Sequence, residues 1–483
     1  MVEIPSNEIT DIVANLFIEA NCRIQEEVFD AWLKAFKEEE ENSQAREVIQ
    51  AMIKNAWIAW DEHMPICQDT GQAVVLIEQG VDVRITGKPL LDAINEGIEK
   101  GGAEGYLRKS VIQDPLQRDH AGSYGPAVIH HVMAPGETLK ITVYPAGCGC
   151  EQMNCAAMFP PCDEEKTIVQ FVLQKVKEAG SRSCPPNIIG LGIGGDLEAS
   201  AYLARMALLR PVNQRNPGYE ALEKRLLREI NQLNIGPQGL GGKTTVLAVN
   251  IEAASCHRAN LPVAVAFNCH VGRCKTWTFG EEQKKEKEGH FVKRLKETAG
   301  DPDMFRGYKK VQLPLSEKAL SDLKVGDKVL LSGFVYTARD AAHRRLIKLL
   351  EENKPLPFDL TGQVIYYVGP TPPRPGQVIG SAGPTTSYRM DPYTPILLKH
   401  GLKGMIGKGY RSPAVIDSLK RYKAIYFITF AGSGALLSKH IVKCEMIAFE
   451  DLGTEAVRRL ELKDFPAIVA CDSKGRDIYK SAK

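Results

Sequence analysis

Three cysteines sit where the local sequence could support chemistry. Cys67 lies in Met64-Pro-Ile-Cys-Gln-Asp-Thr-Gly71, Cys184 in Ser183-Cys-Pro-Pro186, and Cys269 in Asn268-Cys-His270. None reads as mid-helix, and each has polar, Pro or Gly neighbours that leave backbone exposed. Thiolates in such places can ligate iron, and iron–sulfur clusters are held mainly by cysteine. The spacings, 117 and 85 residues, form no short motif, so zinc stays open. The tight pairs of structural zinc sites are missing, however. Cys148-Gly-Cys150 and Cys269-x4-Cys274 come nearest, and neither fits. Most of the 12 cysteines, including Cys22, Cys444 and Cys471, read as small apolar side chains.

Two glycine-rich stretches imitate nucleotide sites. Gly190-Leu-Gly-Ile-Gly-Gly195 matches the dinucleotide fingerprint between an apolar run and a helix. The acid expected about 20 positions later to hold a ribose is missing: the chain reads Asn213-Gln-Arg-Asn216, and Glu220 is the nearest acid. The glycines then serve close packing. Gly236-Pro-Gln-Gly-Leu-Gly-Gly-Lys243-Thr244 fails as a P-loop because Pro237 stands where its first glycine belongs. The β-branched run that follows predicts a strand, which offers no helix N-terminus to a phosphate.

The elements that position these residues fall into two units. A chain of 483 residues exceeds what one core usually supports. Residues 1–62 show helical periodicity, with Ile9, Val13, Leu16 and Phe17 on one face. From 65 to about 275, short β-like runs (Ala73–Ile77, Leu139–Val143, Asn187–Ile193, Thr244–Ile251, Pro262–Phe267) alternate with helices at 89–100, 164–180 and 197–209. Residues 281–307 are dominated by charge and read as a linker, or as a solvated helix plus linker. The rest alternates strands (Val325–Gly333, Gly362–Val368, Gly404–Gly407, Lys423–Thr429, Ala467–Cys471) with helices such as Ala338–Glu352. The expected architecture is an α+β N-terminal domain over 1–280, a charged linker over 281–307, and a smaller α/β domain over 308–483, with the active site between them. A net charge of +2 gives no reason to expect nucleic acid or membrane as partner. The opening residues show no signal peptide and the apolar runs are too short to span a bilayer, so a cytoplasmic location is expected.

With those residues in view, the sequence resembles the class I, iron–sulfur-dependent fumarate hydratases and the related L-tartrate dehydratases, with the α-type and β-type parts fused. The motifs are PICQDTG (65–71), LRKSV with Arg108, SCPP before GLGIGG (183–195), NIGPQGLGGKTT (234–245), and His257 with LPVAVAFNC (261–269). In the second half they are TARDAAHRRL (337–346), GSAGPTTSYRMDPYTP (380–395), GKGYRS (407–412) and DFPAIVACDSKG (464–475). The resemblance implies a [4Fe–4S] cluster on Cys67, Cys184 and Cys269, whose fourth iron polarises the leaving hydroxyl as a Lewis acid. It implies catalytic roles for Asp69, for His257 as acid, and for Ser433, where relatives carry Thr and Thr429 competes. It implies a dicarboxylate substrate near Gln68, Arg108, Gly147, Lys243, Arg389 and Arg459, because guanidinium forks suit carboxylates. A homodimer is implied as well.

One departure stands out. Where that family commonly reads Lys-Gly-Gly-Gly-Ser, this chain reads Ala146-Gly-Cys-Gly-Cys150. The glycines at 147 and 149 remain, and the two thiols read as packing changes. Arg339, Asp340 and His343 form a charged patch on one predicted helix, either near the site or as a surface ion network. The reaction expected is reversible hydration of fumarate to (S)-malate, with L-tartrate dehydration to oxaloacetate as the alternative. A nicotinamide dehydrogenase using Gly190–Gly195 and a non-enzymatic cluster-binding protein are the readings from other classes.

Overall fold

The computed structural model describes residues 2–116, 122–281, 288–300 and 304–481. Parts of the predicted linker, 282–287 and 301–303, lie outside those residues.

The N-terminal periodicity resolves into helices Ser6–Cys22, Glu26–Glu38 and Gln44–Asp61. Two four-stranded sheets follow. In the first, Gln72–Gly80 lies between Leu139–Ala146 and Val128–Ala134, with Lys275–Phe279 at the edge. In the second, Asn187–Gly195 lies between Val246–Cys256 and Leu261–Asn268, with Cys155–Phe159 outside. The fingerprint glycines work here as packing residues. A Cβ on Gly190 would stand 2.1 Å from Ala204 O, and one on Gly192 1.9 Å from Ser200 O, so helix Leu197–Ala207 can lie directly on the strand.

The second half builds one seven-stranded sheet. Strands Lys328–Thr337, Val364–Tyr366, Gly404–Gly407 and Ile425–Ile428 run parallel in that order. The long strand Val457–Cys471 pairs antiparallel with both the last and the first of them, closing a ring of five strands. Parallel neighbours need crossovers; helices Asp340–Glu351, Thr394–Lys399 and Pro413–Tyr422 lie between those strands.

One hydrophobic core crosses from half to half. It joins Trp32, Ile49, Ile53 and Ile66 to Leu331, Tyr366, Phe427, Leu436 and Phe465. Part of the predicted linker belongs to it. Glu288–Ala299 is a helix with Phe291, Leu295 and Ala299 buried, and Phe291 packs edge-on against Phe29 and Trp60. These three buried residues recur every four positions and form one stripe, so this helix is docked rather than solvated.

Candidate active site

The three cysteines reach one pocket by three local devices. Cys67 follows helix Gln44–Asp61 in a short irregular segment. Its neighbour Ile66 donates its N–H to Asn21 O (2.9 Å), and Ile66 O accepts from Asn55 Nδ2 (3.1 Å). Cys184 ends a 3-10 turn with φ +58°, a left-handed conformation that a non-glycine residue holds only where its surroundings enforce it. Cys269 follows the strand Leu261–Asn268. The antiparallel pair Ile188–Asn268 places the start of one strand beside the end of the other, so residues 85 positions apart meet. Buried Asn187 ties both ends: its Nδ2 donates to Ser183 O (2.8 Å) and Asn268 O (3.1 Å), and its Oδ1 accepts from Ser183 Oγ (2.7 Å).

The second half clamps the Cys67 segment. Asn55 Nδ2 also donates to Gly432 O (3.1 Å), its Oδ1 accepts from Leu436 N (2.9 Å), and Gly434 N donates to Ile66 O (3.0 Å). Gln68 Nε2 donates to Pro384 O (3.1 Å), and Ser381 Oγ donates to Pro65 O. The pocket is thus walled by both halves.

Its charge is lopsided. Arg108, Arg273, Arg339, Arg389 and Lys408 line it against one lining carboxylate, Asp69. Asp69 Oδ1 accepts from Arg108 Nη2 (2.6 Å) and Oδ2 from Cys148 N (3.0 Å). Burial alone would raise the Asp69 pKa, but Arg108, Arg273 and Arg339 hold it below the usual carboxylate range. Arg273 Nη1 donates to Asp69 O (2.6 Å) and Asn21 Oδ1 (3.0 Å). Arg389 Nη2 donates to Asp340 Oδ2 (2.9 Å) and Thr385 Oγ1 (3.1 Å), while Nη1 faces Cys148 Sγ at 3.7 Å. The Nε atoms of Arg273, Arg339 and Arg389 are buried with no partner. Arg339 also pairs with Glu455 (3.3 Å), so among the described residues Arg273 and Lys408 are the lining cations without a carboxylate partner, and the pocket suits an anion.

The thiols fit a metal cluster by the same logic. Burial pushes the Cys67 thiol up to about 12 and raises Cys184, so both are neutral without metal. Cys150 hydrogen-bonds Cys269, and Cys150 Sγ also donates to Ser183 O (3.1 Å). Among the described residues no three His, Cys, Asp or Glu groups close on a single metal ion. The donors are thiols spread around a shared pocket lined by cations, which suits an anionic cluster more than a lone zinc.

Gln68, Asp69, Arg108, Gly147 and Arg389 line this pocket with the three cysteines. Ser433 lies beside it, between lining residue Gly432 and Gly434. It is fully buried, and its hydroxyl has no partner, whereas Thr429 Oγ1 is committed to Pro466 O (2.7 Å).

Three residues expected at the site are elsewhere in this chain. His257 is exposed in the turn before strand Leu261–Asn268. The twelve positions to Cys269 are spent on one extended strand, roughly 25 Å long. Arg459 pairs across strands with Glu445, its Nη2 2.6 Å from Glu445 Oε2. Lys243 points its side chain to solvent, and its backbone N–H, with that of Thr244, is held by the Glu39 carboxylate at 2.9 Å.

Sequence reasoning singled out neither Arg273 nor Lys408 as site residues, and left Arg339 undecided. Lys408 lies inside the GKGYRS motif, and Arg273 follows Cys269 by four positions, so both signals were present. Asn55 and Asn187 carry no such signal.

Comparison with known proteins bears on the same stretches. A family model described as fumarate hydratase (fumerase) matches residues 10–278, and one described as fumarase C-terminus matches 279–482. A putative class I fumarate hydratase of Geobacillus stearothermophilus is 30% identical, covering 96% of this chain and 94% of its own. Fumarate hydratase 2 of Leishmania major is 28% identical over 98% of this chain and 86% of its own. A putative L(+)-tartrate dehydratase alpha subunit of Methanocaldococcus jannaschii is 36% identical, covering 55% of this chain and 95% of its own.

Proposed function

The chain belongs to the fumarate hydratase (fumerase) family, and from that premise we propose that it is a hydro-lyase interconverting fumarate and (S)-malate at the pocket between its halves. The observation that carries the reading is the pocket's make-up: five thiols, Cys67, Cys184 and Cys269 among them, with five cations and a single carboxylate. Cys67, Cys184 and Cys269 would hold a [4Fe–4S] cluster, which would supply Lewis acidity toward the substrate.

The chain's own groups do the rest. Arg389 and Arg339 accept a substrate carboxylate through guanidinium forks. Arg108 stays paired to Asp69 and keeps it ionised. On this reading Ser433, whose buried hydroxyl has no partner, serves proton transfer at the carbon next to a carboxylate, and Asp69 is the anion lining the pocket. Gln68, fixed on Pro384 O, shapes the wall. The reading includes a homodimer and a cytoplasmic location; among the described residues no helix is long and apolar enough to cross a membrane.

The alternative, L-tartrate dehydration, rests on the similarity of residues in the first half to a tartrate dehydratase alpha subunit. The test is an anaerobic assay of iron- and sulfide-reconstituted protein with fumarate and L-tartrate in parallel, and Cys184→Ser as control. Rapid malate formation that is lost in the mutant supports the reading. Fast oxaloacetate formation from tartrate with slow fumarate turnover moves it to the alternative. Turnover of neither, with cluster bound, overturns both substrates.

A further inference from the structure

Of the five thiols lining the pocket, Cys148 stands among the arginines. Its Sγ lies 3.7 Å from Arg389 Nη1, and Arg108 and Arg339 are close enough to sense it. Cys150, two residues on, is buried and donates to Ser183 O (3.1 Å), beside Cys184. Cys148 is only half-buried.

Both halves of the chain hold this sulfur in place. The Cys148 N–H donates to Asp69 Oδ2 (3.0 Å), and its Sγ accepts from Gln152 Nε2 (3.3 Å). Gln152 is held in turn by Tyr388 of the second half, whose hydroxyl donates to Gln152 Oε1 (2.7 Å). Tyr388 directly precedes Arg389, so one short segment sets both the sulfur and the guanidinium. The Nε atoms of Arg339 and Arg389, which line the same pocket, are buried without partners.

A substrate carboxylate on the Arg389 fork brings the double bond of fumarate close to the sulfur that shares that fork. An alkene between two carboxyl groups is open to addition by a thiol. In water its two negative charges oppose the incoming sulfur. Arg339 and Arg389 offset those charges, and they stabilise the negative charge that develops on the substrate as the bond forms. Reactive cysteines sit in electropositive, partly exposed surroundings of this kind. The glycine common in the family at this position could not react.

We propose that Cys148 is a modification site for the substrate itself: its sulfur adds to fumarate in the pocket and leaves a thioether-linked succinate that stops turnover. The proposal rests on the fumarate reading above. A bond forms between sulfur and one alkene carbon, and the carbon–carbon π bond breaks. Its electron pair goes to the other alkene carbon, which takes up the proton that the thiol gives up, carried by solvent. The sum is one thiol plus one fumarate giving one thioether, with no oxidant or co-reactant. The adduct's two carboxylates then occupy the arginines that the next substrate needs.

The experiment incubates anaerobically reconstituted wild-type and Cys148→Ser proteins with fumarate, with and without an excess of succinate, the saturated analogue. Malate formation at the outset, activity over hours, and intact and peptide masses are followed. The wild type is expected to gain the mass of one fumaric acid on the peptide carrying Cys148, several-fold faster than at the exposed thiols Cys162 and Cys256. Its activity should fall in step, and succinate should slow both changes. Cys148→Ser should hold whatever activity it starts with. Malate formation with no adduct, an adduct confined to Cys162 and Cys256, one that succinate does not slow, or one at Cys148 that leaves activity intact overturns the proposal and leaves the hydratase reading standing. A wild-type protein that binds its cluster but makes no malate at the outset overturns the hydratase reading instead.

Discussion

Arg108 and Asp69 meet at 2.6 Å inside the pocket, with Arg108 7% exposed at its side chain and Asp69 20%. The second Asp69 oxygen is held by the Cys148 N–H. This pair fixes a carboxylate in its charged form where proton transfer is needed. Asp69→Asn keeps the shape and removes the charge, and is expected to lower kcat by roughly 10²–10⁴-fold. Iron per chain should stay unchanged, and steady-state kinetics beside iron analysis check this. A variant of full activity would exclude Asp69 from the chemistry.

Arg389 is expected to act on binding. Its Nη1 edge faces Cys148 Sγ, at 3.7 Å, while Nη2 is anchored on Asp340 and Thr385. Arg389→Met should raise KM by roughly 10–100-fold, the worth of a hydrogen bond to a charged group. Arg389→Lys should recover only part, since a single ammonium cannot reproduce the fork. Substrate-saturation curves for the three proteins decide the matter, and an unchanged KM in the Met variant removes Arg389 from substrate binding.

Asn55 is the stitch between the halves. One buried amide serves Ile66, Gly432 and Leu436. Asn55→Ala removes the amide partner of Gly432 O and Leu436 N at about 1–3 kcal/mol each, while Ile66 O keeps the Gly434 N–H. The expected outcome is a lower urea midpoint together with weaker iron retention, because Ile66 precedes Cys67. Equal stability of mutant and wild type would show that water replaces the amide.

His343 gives the fold a pH dependence. Its Nδ1 is 2.8 Å from Arg339 O and its Nε2 is buried without a partner, among Tyr367, Tyr393, Asp340, Arg411 and Glu455. Burial lowers its pKa to about 4 from 6.5. The folded form therefore prefers neutral imidazole. Its contribution is complete above pH ~6.5 and is lost as pH falls toward ~4, about 3 kcal/mol in all. His343→Phe should flatten stability across that window. Urea titrations at pH 7, 5.5 and 4.5 would reveal it, and identical slopes for the two proteins would refute it.

What could be read from the sequence followed local pattern. Strands such as Asn187–Gly195 and Leu261–Asn268 showed as apolar runs, and the pocket cysteines Cys67, Cys184 and Cys269 showed through their motifs. Contacts across the fold did not show. The step from His257 to Cys269 looked short in sequence and is long in space because a strand lies between them. Arg459 looked like an anion ligand, yet strand register sets it opposite Glu445. The docked helix Glu288–Ala299 was hidden because charged residues outnumber the three apolar ones that bury it. Lys408 and Asn55 matter for their partners in the other half, and a single sequence does not name such partners.

The distribution of the site along the chain also orders events during synthesis. All three thiols are made before Lys408, which comes 139 residues after Cys269. At 5–20 residues per second that interval is on the order of ten to thirty seconds. Throughout it the growing chain has the thiols of the first half without the strands that close the shared core. Both walls of the pocket therefore stand together only once the second half has been made.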